Sequence, residues 1–275
     1  MSMPLELTMV RHGQSEANTA QGLDIAGSKH PVAEQIYDRP DWKQRLSKQG
    51  VSQAKIAGEW IEANIPGGVK GFNVKLVSPY LRTRETAAHL GGVSADGWRV
   101  DDRIVERYWG AYGRLTTEQQ AAMFPHTTKL KEVDPWYASL DGGESPASGV
   151  RLRFRDLLGT LHREAAEKRV ILVSHGEFMW VGRQVLERTL PEEWMAMDSN
   201  KELQIRNCSI LQYTRVNPEN PLDIDTHMRW MRFIYPDVPN ESPYGGAWQR
   251  IKAQREFTGG DLLDQLEISS NLITD

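Results

Sequence analysis

Val170-Ile171-Leu172-Val173 is an unbroken aliphatic run that stops at Ser174-His175-Gly176. A strand of this composition is apolar on both faces, so it belongs inside a sheet with helices packed on either side. A second segment ends alike. Leu5, Leu7 and Met9 alternate with polar residues, and Val10 leads into Arg11-His12-Gly13. Phe72 to Val77, closed by Ser78-Pro79, and Ile210 to Tyr213 are further strand candidates. Helical spacing of apolar residues fills Gln53 to Asn64, Val150 to Lys168 and Phe178 to Leu190. Strands alternating with helices predict an α/β fold with helices on both faces of the sheet.

The chain of 275 residues is long enough to bury a core as one domain. The expected organisation is a core over about 5–215, an insertion over about 19–45, and a C-terminal extension over about 216–275 that opens with Pro218 and Pro221. The net charge of -4 argues against broad nucleic-acid binding, which needs a basic excess. Cys208 is the only cysteine, so intrachain disulfides and multi-cysteine zinc sites are excluded. A lone thiol fits a reducing compartment. No apolar run approaches the ~18 residues of a membrane span. We therefore expect a soluble cytoplasmic protein with no membrane or nucleic-acid partner, and self-association is left open.

The two His-Gly pairs sit at equivalent places, each directly after an apolar strand. Ligands of open α/β sheets bind outside the carboxyl ends of strands, so His12 and His175 are expected to face one crevice. A third strand end, Val77-Ser78-Pro79, is followed by Arg82. With Arg11 it makes a small cationic pocket in a net-acidic chain, and a guanidinium fork fits phosphate bidentately.

Arg11-His12-Gly13-Gln14-Ser15, with Asn18 following, resembles the signature of the histidine phosphatase superfamily, which includes cofactor-dependent phosphoglycerate mutases. Further blocks fall in the family's order: Leu46-Ser47-Lys48-Gln49-Gly50, Ser78-Pro79 with Arg82 and Thr86, Glu106-Arg107-Tyr108-Trp109-Gly110, Gly142-Gly143-Glu144-Ser145, Ser174-His175-Gly176 and Asn207-Cys208-Ser209. The resemblance implies a three-layer sandwich with a mostly parallel central sheet. It implies that His12 is a nucleophile forming phosphohistidine, and that Arg11, Arg82 and His175 bind the phosphoryl oxygens. Asn18 would add a hydrogen bond, with Gln14 and Ser15 beside it in substrate binding. Glu106 would donate a proton to the leaving group, which requires a raised pKa. No cofactor and no metal is implied. The expected activity is a metal-independent phosphomonoesterase acting on a small phosphorylated metabolite.

Several departures qualify that expectation. Gln14 stands where glutamate is common, and Leu152, between Arg151 and Arg153, stands where an arginine is usual. The adjacent arginine pair with which phosphoglycerate mutases bind the substrate carboxylate has no counterpart in Ala111 to Val133. That disfavours a mutase, the first alternative. A catalytically silent binding protein is a second alternative, disfavoured because His12, Arg82, Glu106 and His175 are all present. A zinc hydrolase lacks its ligand motifs. Specificity is expected from two segments that begin at the pocket's rim. Thr19 to Arg45 carries His30, Tyr37, Arg39 and Trp42; Ala111 to Asp141 carries Tyr112, Arg114, His126 and Lys129.

Overall fold

The computed structural model describes residues 2–91, 97–253 and 255–264, with the Arg114 side chain outside that set. The chain opens with β1 (Glu6–Arg11), then α1 (Glu16–Ile25), α2 (Ala33–Asp38) and α3 (Lys48–Asn64). Next come β2 (Val74–Val77), α4 (Leu81–Leu90) and β3 (Trp98–Val100). A helical hairpin, α5 (Thr117–Met123) and α6 (Pro125–Val133), precedes α7 (Arg151–Glu164). It is followed by β4 (Arg169–Ser174), α8 (Gly176–Glu187) and α9 (Pro191–Asp198). The chain continues through β5 (Ile210–Thr214), β6 (Val216–Asn217), β7 (Asn220–Ile224), β8 (Trp230–Ile234), β9 (Gln249–Arg250) and α10 (Gly259–Asp264).

The strands build one seven-stranded sheet in the order β3-β2-β4-β1-β5-β8-β9. β3, β2, β4 and β1 run parallel, and β5, β8 and β9 extend the β1 side in antiparallel pairs. The segment after Pro221 thus supplies two strands of the main sheet, whereas β6 and β7 form a separate hairpin.

Alternation along the central strands divides the core in two. Leu7 and Met9 of β1 and Val170 and Leu172 of β4 join Phe154, Leu157 and Phe178 on one face. Val10, Ile171 and Val173 join Ala54, Ala57 and Ile61 of α3 and Leu90 of α4 on the other. This is the three-layer arrangement, produced by the two-residue side-chain period of buried strands. The Phe154 and Phe178 rings meet at 5.3 Å, and truncating either to alanine removes about 3–5 kcal/mol.

Helix starts differ from the expected ones for a local reason. α3 begins five residues before Gln53 because the Ser47 hydroxyl accepts the Gly50 N–H at 3.0 Å, a cap that apolar spacing does not register. α8 begins at Gly176 directly off the strand end, with His175 at its N-cap position.

Candidate active site

Strand register fixes where the chemistry gathers. Arg11 pairs with Ser174 and Val77 with Val173, so β1, β2 and β4 deliver His12, Ser78 and His175 to one edge of the sheet. β5 starts at that edge, Ile210 pairing with Val10. The His12 backbone is consequently held from two sides: its N–H donates to the Ser174 carbonyl (2.9 Å), and its carbonyl accepts the Asn207 amide (3.1 Å). The loop is also pressed against α3. A Cβ on Gly13 would lie 2.4 Å from the Gly50 carbonyl oxygen, and one on Gly50 would lie 2.1 Å from that of Gln14. Only hydrogen fits at either position.

His12 is buried, and its Nδ1 lies 2.7 Å from the Gly13 carbonyl. A carbonyl accepts only, so the ring proton sits on Nδ1 and the lone pair on Nε2. Arg82 Nε–H donates to that Nε2 at 3.2 Å. Arg82 Nη2 donates to His175 Nδ1 at 3.2 Å, which leaves the His175 proton on Nε2 to reach Ser78 Oγ at 2.8 Å. The two imidazoles meet edge to face, with centroids 5.2 Å apart. Burial, followed by the charge of Arg82, holds both histidines well below the ordinary imidazole range. Both are therefore neutral near pH 7, and the His12 Nε2 lone pair carries no proton of its own but accepts the Arg82 Nε–H.

Cations and one acid complete the site. Arg11 Nη1 donates to the Ile205 carbonyl at 2.5 Å, while its Nε is buried without a partner among the described residues, a donor suited to an anionic oxygen. The half-buried Glu106 carboxyl is pushed up by burial, and Arg11, Arg82 and the Arg107 N–H bond oppose that shift. Arg153 holds the Glu106 segment by donating to the carbonyls of Arg103 (2.6 Å), Val105 (3.2 Å) and Glu106 (3.3 Å). It also pairs with Glu144 at 2.8 Å, whose carboxylate accepts the Tyr108 N–H at 3.1 Å. Leu152 is exposed, and the arginine of this helix is one residue later. The π-helical turn Pro146–Val150 takes up an extra residue before α7 and turns Arg153 inward.

These groups open onto a cavity of about 920 Å³. Arg11, His12, Ser15, Asn18, Arg82 and Glu106 line it, and His175 lies fully buried behind Arg82. Gln14 is not on its wall, because the side chain accepts from the Ser47 hydroxyl at 2.8 Å and so braces α3. Ser15 Oγ caps α1 by accepting the Asn18 N–H, and Asn18 Oδ1 in turn accepts the Ser15 N–H. Of the rim residues, Tyr37, Arg39, Trp42 and Tyr112 reach the cavity. His30, His126 and Lys129 do not, and the Arg114 side chain lies outside the described residues. Lys131, two positions beyond Lys129, does reach it, as do Asp41, Arg107, Glu177 and Asp198. Arg107 belongs to the Glu106 block and Lys131 to the Ala111 to Val133 segment already singled out, whereas no motif or periodicity marks Asp41, Glu177 or Asp198. Burial foremost, helped by Glu106 and Asp198, pushes the Glu177 carboxyl up to about 7.

Residues 7–219 match the histidine phosphatase superfamily (branch 1). The chain belongs to this superfamily. It is 28% identical over 193 residues to a phosphoglycerate mutase-like protein of Arabidopsis thaliana, the match covering 63% of this chain and 63% of that one. The chain thus spans under two thirds of this curated relative. It is 27% identical over 212 residues to a 2,3-bisphosphoglycerate-dependent phosphoglycerate mutase of Brucella melitensis, covering 74% of this chain and 91% of that protein. Among solved structures, a mycobacterial glucosyl-3-phosphoglycerate phosphatase superposes with a TM-score of 0.58 at 24% identity, covering 83% of this chain and 96% of that one. A structure described as mycobacterial hydrolase 2 covers 98% of both chains, with a TM-score of 0.58 at 21% identity. These likenesses establish a shared fold of a phosphatase and mutase superfamily.

Proposed function

We propose that this superfamily member is a phosphomonoesterase that works without a metal, through a phosphohistidine on His12. The observation that carries the reading is the His12 tautomer: Nδ1 is committed to the Gly13 carbonyl, and Nε2 presents its lone pair beside Arg82.

In the proposed reaction His12 Nε2 attacks phosphorus in line, forming the N–P bond as the P–O ester bond breaks. The Glu106 carboxyl delivers its proton to the departing oxygen, a task its raised pKa supports. Arg11 and Arg82 hold the phosphoryl oxygens, with Asn18 at the rim of the same group, and His175 positions Arg82 from behind. Phosphoryl transfer asks mainly for such positioning and charge stabilisation. A water then attacks the phosphohistidine, the Glu106 carboxylate takes its proton, and phosphate leaves with His12 neutral again.

The likeness to the Brucella melitensis mutase supports a second reading, in which the phosphoryl group returns to a substrate instead of water. Against it, no adjacent arginine pair follows Glu106 to bind a substrate carboxylate, although Arg107 and Lys131 do reach the cavity. The deciding experiment incubates the enzyme, in EDTA, with a panel of phosphorylated metabolites, and separately with 3-phosphoglycerate primed by 2,3-bisphosphoglycerate. Phosphate release with acid-labile labelling of His12 supports the phosphatase. Interconversion of phosphoglycerates faster than phosphate release supports the mutase and overturns the first reading.

A further inference from the structure

Arg82 has five N–H donors, and in this structure every one is taken. Nε serves His12, one Nη2 hydrogen serves His175, and the remaining three go to a single residue, Asp41. Nη1 donates to the Asp41 Oδ1 at 2.8 Å and to its backbone carbonyl at 2.7 Å, and Nη2 donates to Oδ2 at 3.2 Å. A two-pronged carboxylate thus lies on the guanidinium fork, in the manner of a phosphoryl group.

We propose that Asp41 is a specificity-determining residue: its carboxylate occupies the phosphoryl seat on Arg82, and a substrate must displace it. The inference rests on the phosphoryl pocket described above and adds a competitor built into the chain. A phosphoryl dianion and a carboxylate on one guanidinium repel each other, so the two do not share it.

The surroundings suit displacement. The Arg82 side chain is 5% exposed and fixed between the histidines, whereas Asp41 is 54% exposed and starts the short turn Asp41–Lys43. The backbone of that turn is anchored on both sides and at the Asp41 carbonyl, whereas the Asp41 carboxylate has no partner but Arg82 among the described residues. Before it, Arg39 pairs with Glu16 at 2.5 Å; after it, Gln44 Nε2 donates to the Ile36 carbonyl at 2.7 Å and Arg45 pairs with Glu85. The Asp41 carboxylate can rotate off the Arg82 fork while the backbone carbonyl and the flanks stay in place. Arg39 and Trp42 of the same stretch line the cavity, so a large leaving group touches the segment that must yield and a small one does not. Contacts to the non-reacting part of a substrate then offset the cost of removing Asp41. Small phosphates and free inorganic phosphate are selected against.

The test uses the full chain with D41A and the isosteric D41N, and reads inorganic phosphate binding by calorimetry alongside kcat/KM for p-nitrophenyl phosphate. Both variants should bind phosphate about tenfold more tightly, a change of about 1.4 kcal/mol. Activity on p-nitrophenyl phosphate should rise by a similar factor, and the preference for bulkier phosphates should fall. Unchanged or weaker phosphate binding in a folded D41N would overturn the proposal, since Asp41 would then be supporting Arg82. Phosphate binding does not depend on turnover, so it tests Asp41 even for a mutase. Absence of phosphate binding in the wild type and both variants would overturn the proposal together with the pocket reading, and absence of His12 labelling identifies that case.

Discussion

Arg82 Nε lies 3.2 Å from His12 Nε2, so the side chain placed to hold phosphoryl oxygens also covers the lone pair placed to attack phosphorus. In the proposed reaction neither group acts until the contact opens, and an entering phosphoryl group would separate them. Binding the substrate and freeing the nucleophile would then be one event.

His12→Ala should therefore remove acid-labile phosphate labelling and lower turnover by roughly three orders of magnitude or more. His175→Ala removes a partner of Arg82 and not the attacking atom, so it should slow turnover by roughly 10²–10³ while labelling persists. Rapid-quench labelling with a phosphorylated substrate separates the two. Wild-type labelling in His12→Ala would assign the nucleophile elsewhere.

The pH profile follows from two opposite shifts. Burial, Arg82 and Arg11 depress the His12 pKa below 6.5, so the base remains neutral into mildly acidic solution. Burial raises the Glu106 pKa above 4.5, so the acid remains protonated to higher pH. A kcat/KM bell should result, with an acid limb below 6.5 set by His12 and an alkaline limb above 4.5 set by Glu106. Glu106→Gln should flatten the alkaline limb. Persistence of that limb in the variant would exclude Glu106 as the proton donor.

Glu177 is expected to show itself in stability. Its folded-state pKa of about 7 exceeds the ordinary 4.5, so the fold favours the protonated form. The stability this contributes is full below 4.5 and is lost as pH rises through 7. The whole shift corresponds to roughly 3 kcal/mol, of which solvent screening of a partly exposed group leaves about 1 kcal/mol. Glu177→Gln should therefore stabilise the protein at pH 8 and change little at pH 4. Urea unfolding at the two pH values measures this, and an equal effect at both would disprove it.

Arg153 is a positioning residue, tied to three carbonyls of the Glu106 segment and to Glu144. Arg153→Met should cost about 2–3 kcal/mol of stability, reduced from the fully buried case because the pair is partly exposed. It should also lower kcat at least tenfold and displace the alkaline limb, with phosphate affinity unchanged. A lower Tm with kcat and the pH profile intact would make its role structural only.

Much of this was readable beforehand, and the division has a physical basis. A strand buried on both faces writes itself as an apolar run, and the residue that leaves it is marked by glycine, so His12 and His175 stood out. Arg82 was marked by a third strand end, and Glu106 became visible only through motif resemblance. Asp41 left no local trace, because its partner is 41 residues away and the turn holding it has no periodicity. Arg153 was hidden by one extra residue in a π-helical turn, which moves a helix face without altering composition. β8 was missed because Trp230 to Ile234 follows two prolines that suggested an extension, yet its pairing with β5 completes the core side of Tyr213.

The place of β1 in the sheet has a consequence for biosynthesis. Of the sheet's strands this one is made before all others but lies between β4 and β5, whose residues are 169–174 and 210–214. At usual elongation rates it waits on the order of ten seconds for either neighbour. Throughout that time a strand that alternates apolar Leu7 and Met9 with polar residues has both hydrogen-bonding edges without their partners in the sheet. Chaperone demand should therefore be set by this one early segment, and a ribosome stall before residue 169 should be more hazardous than one after residue 214.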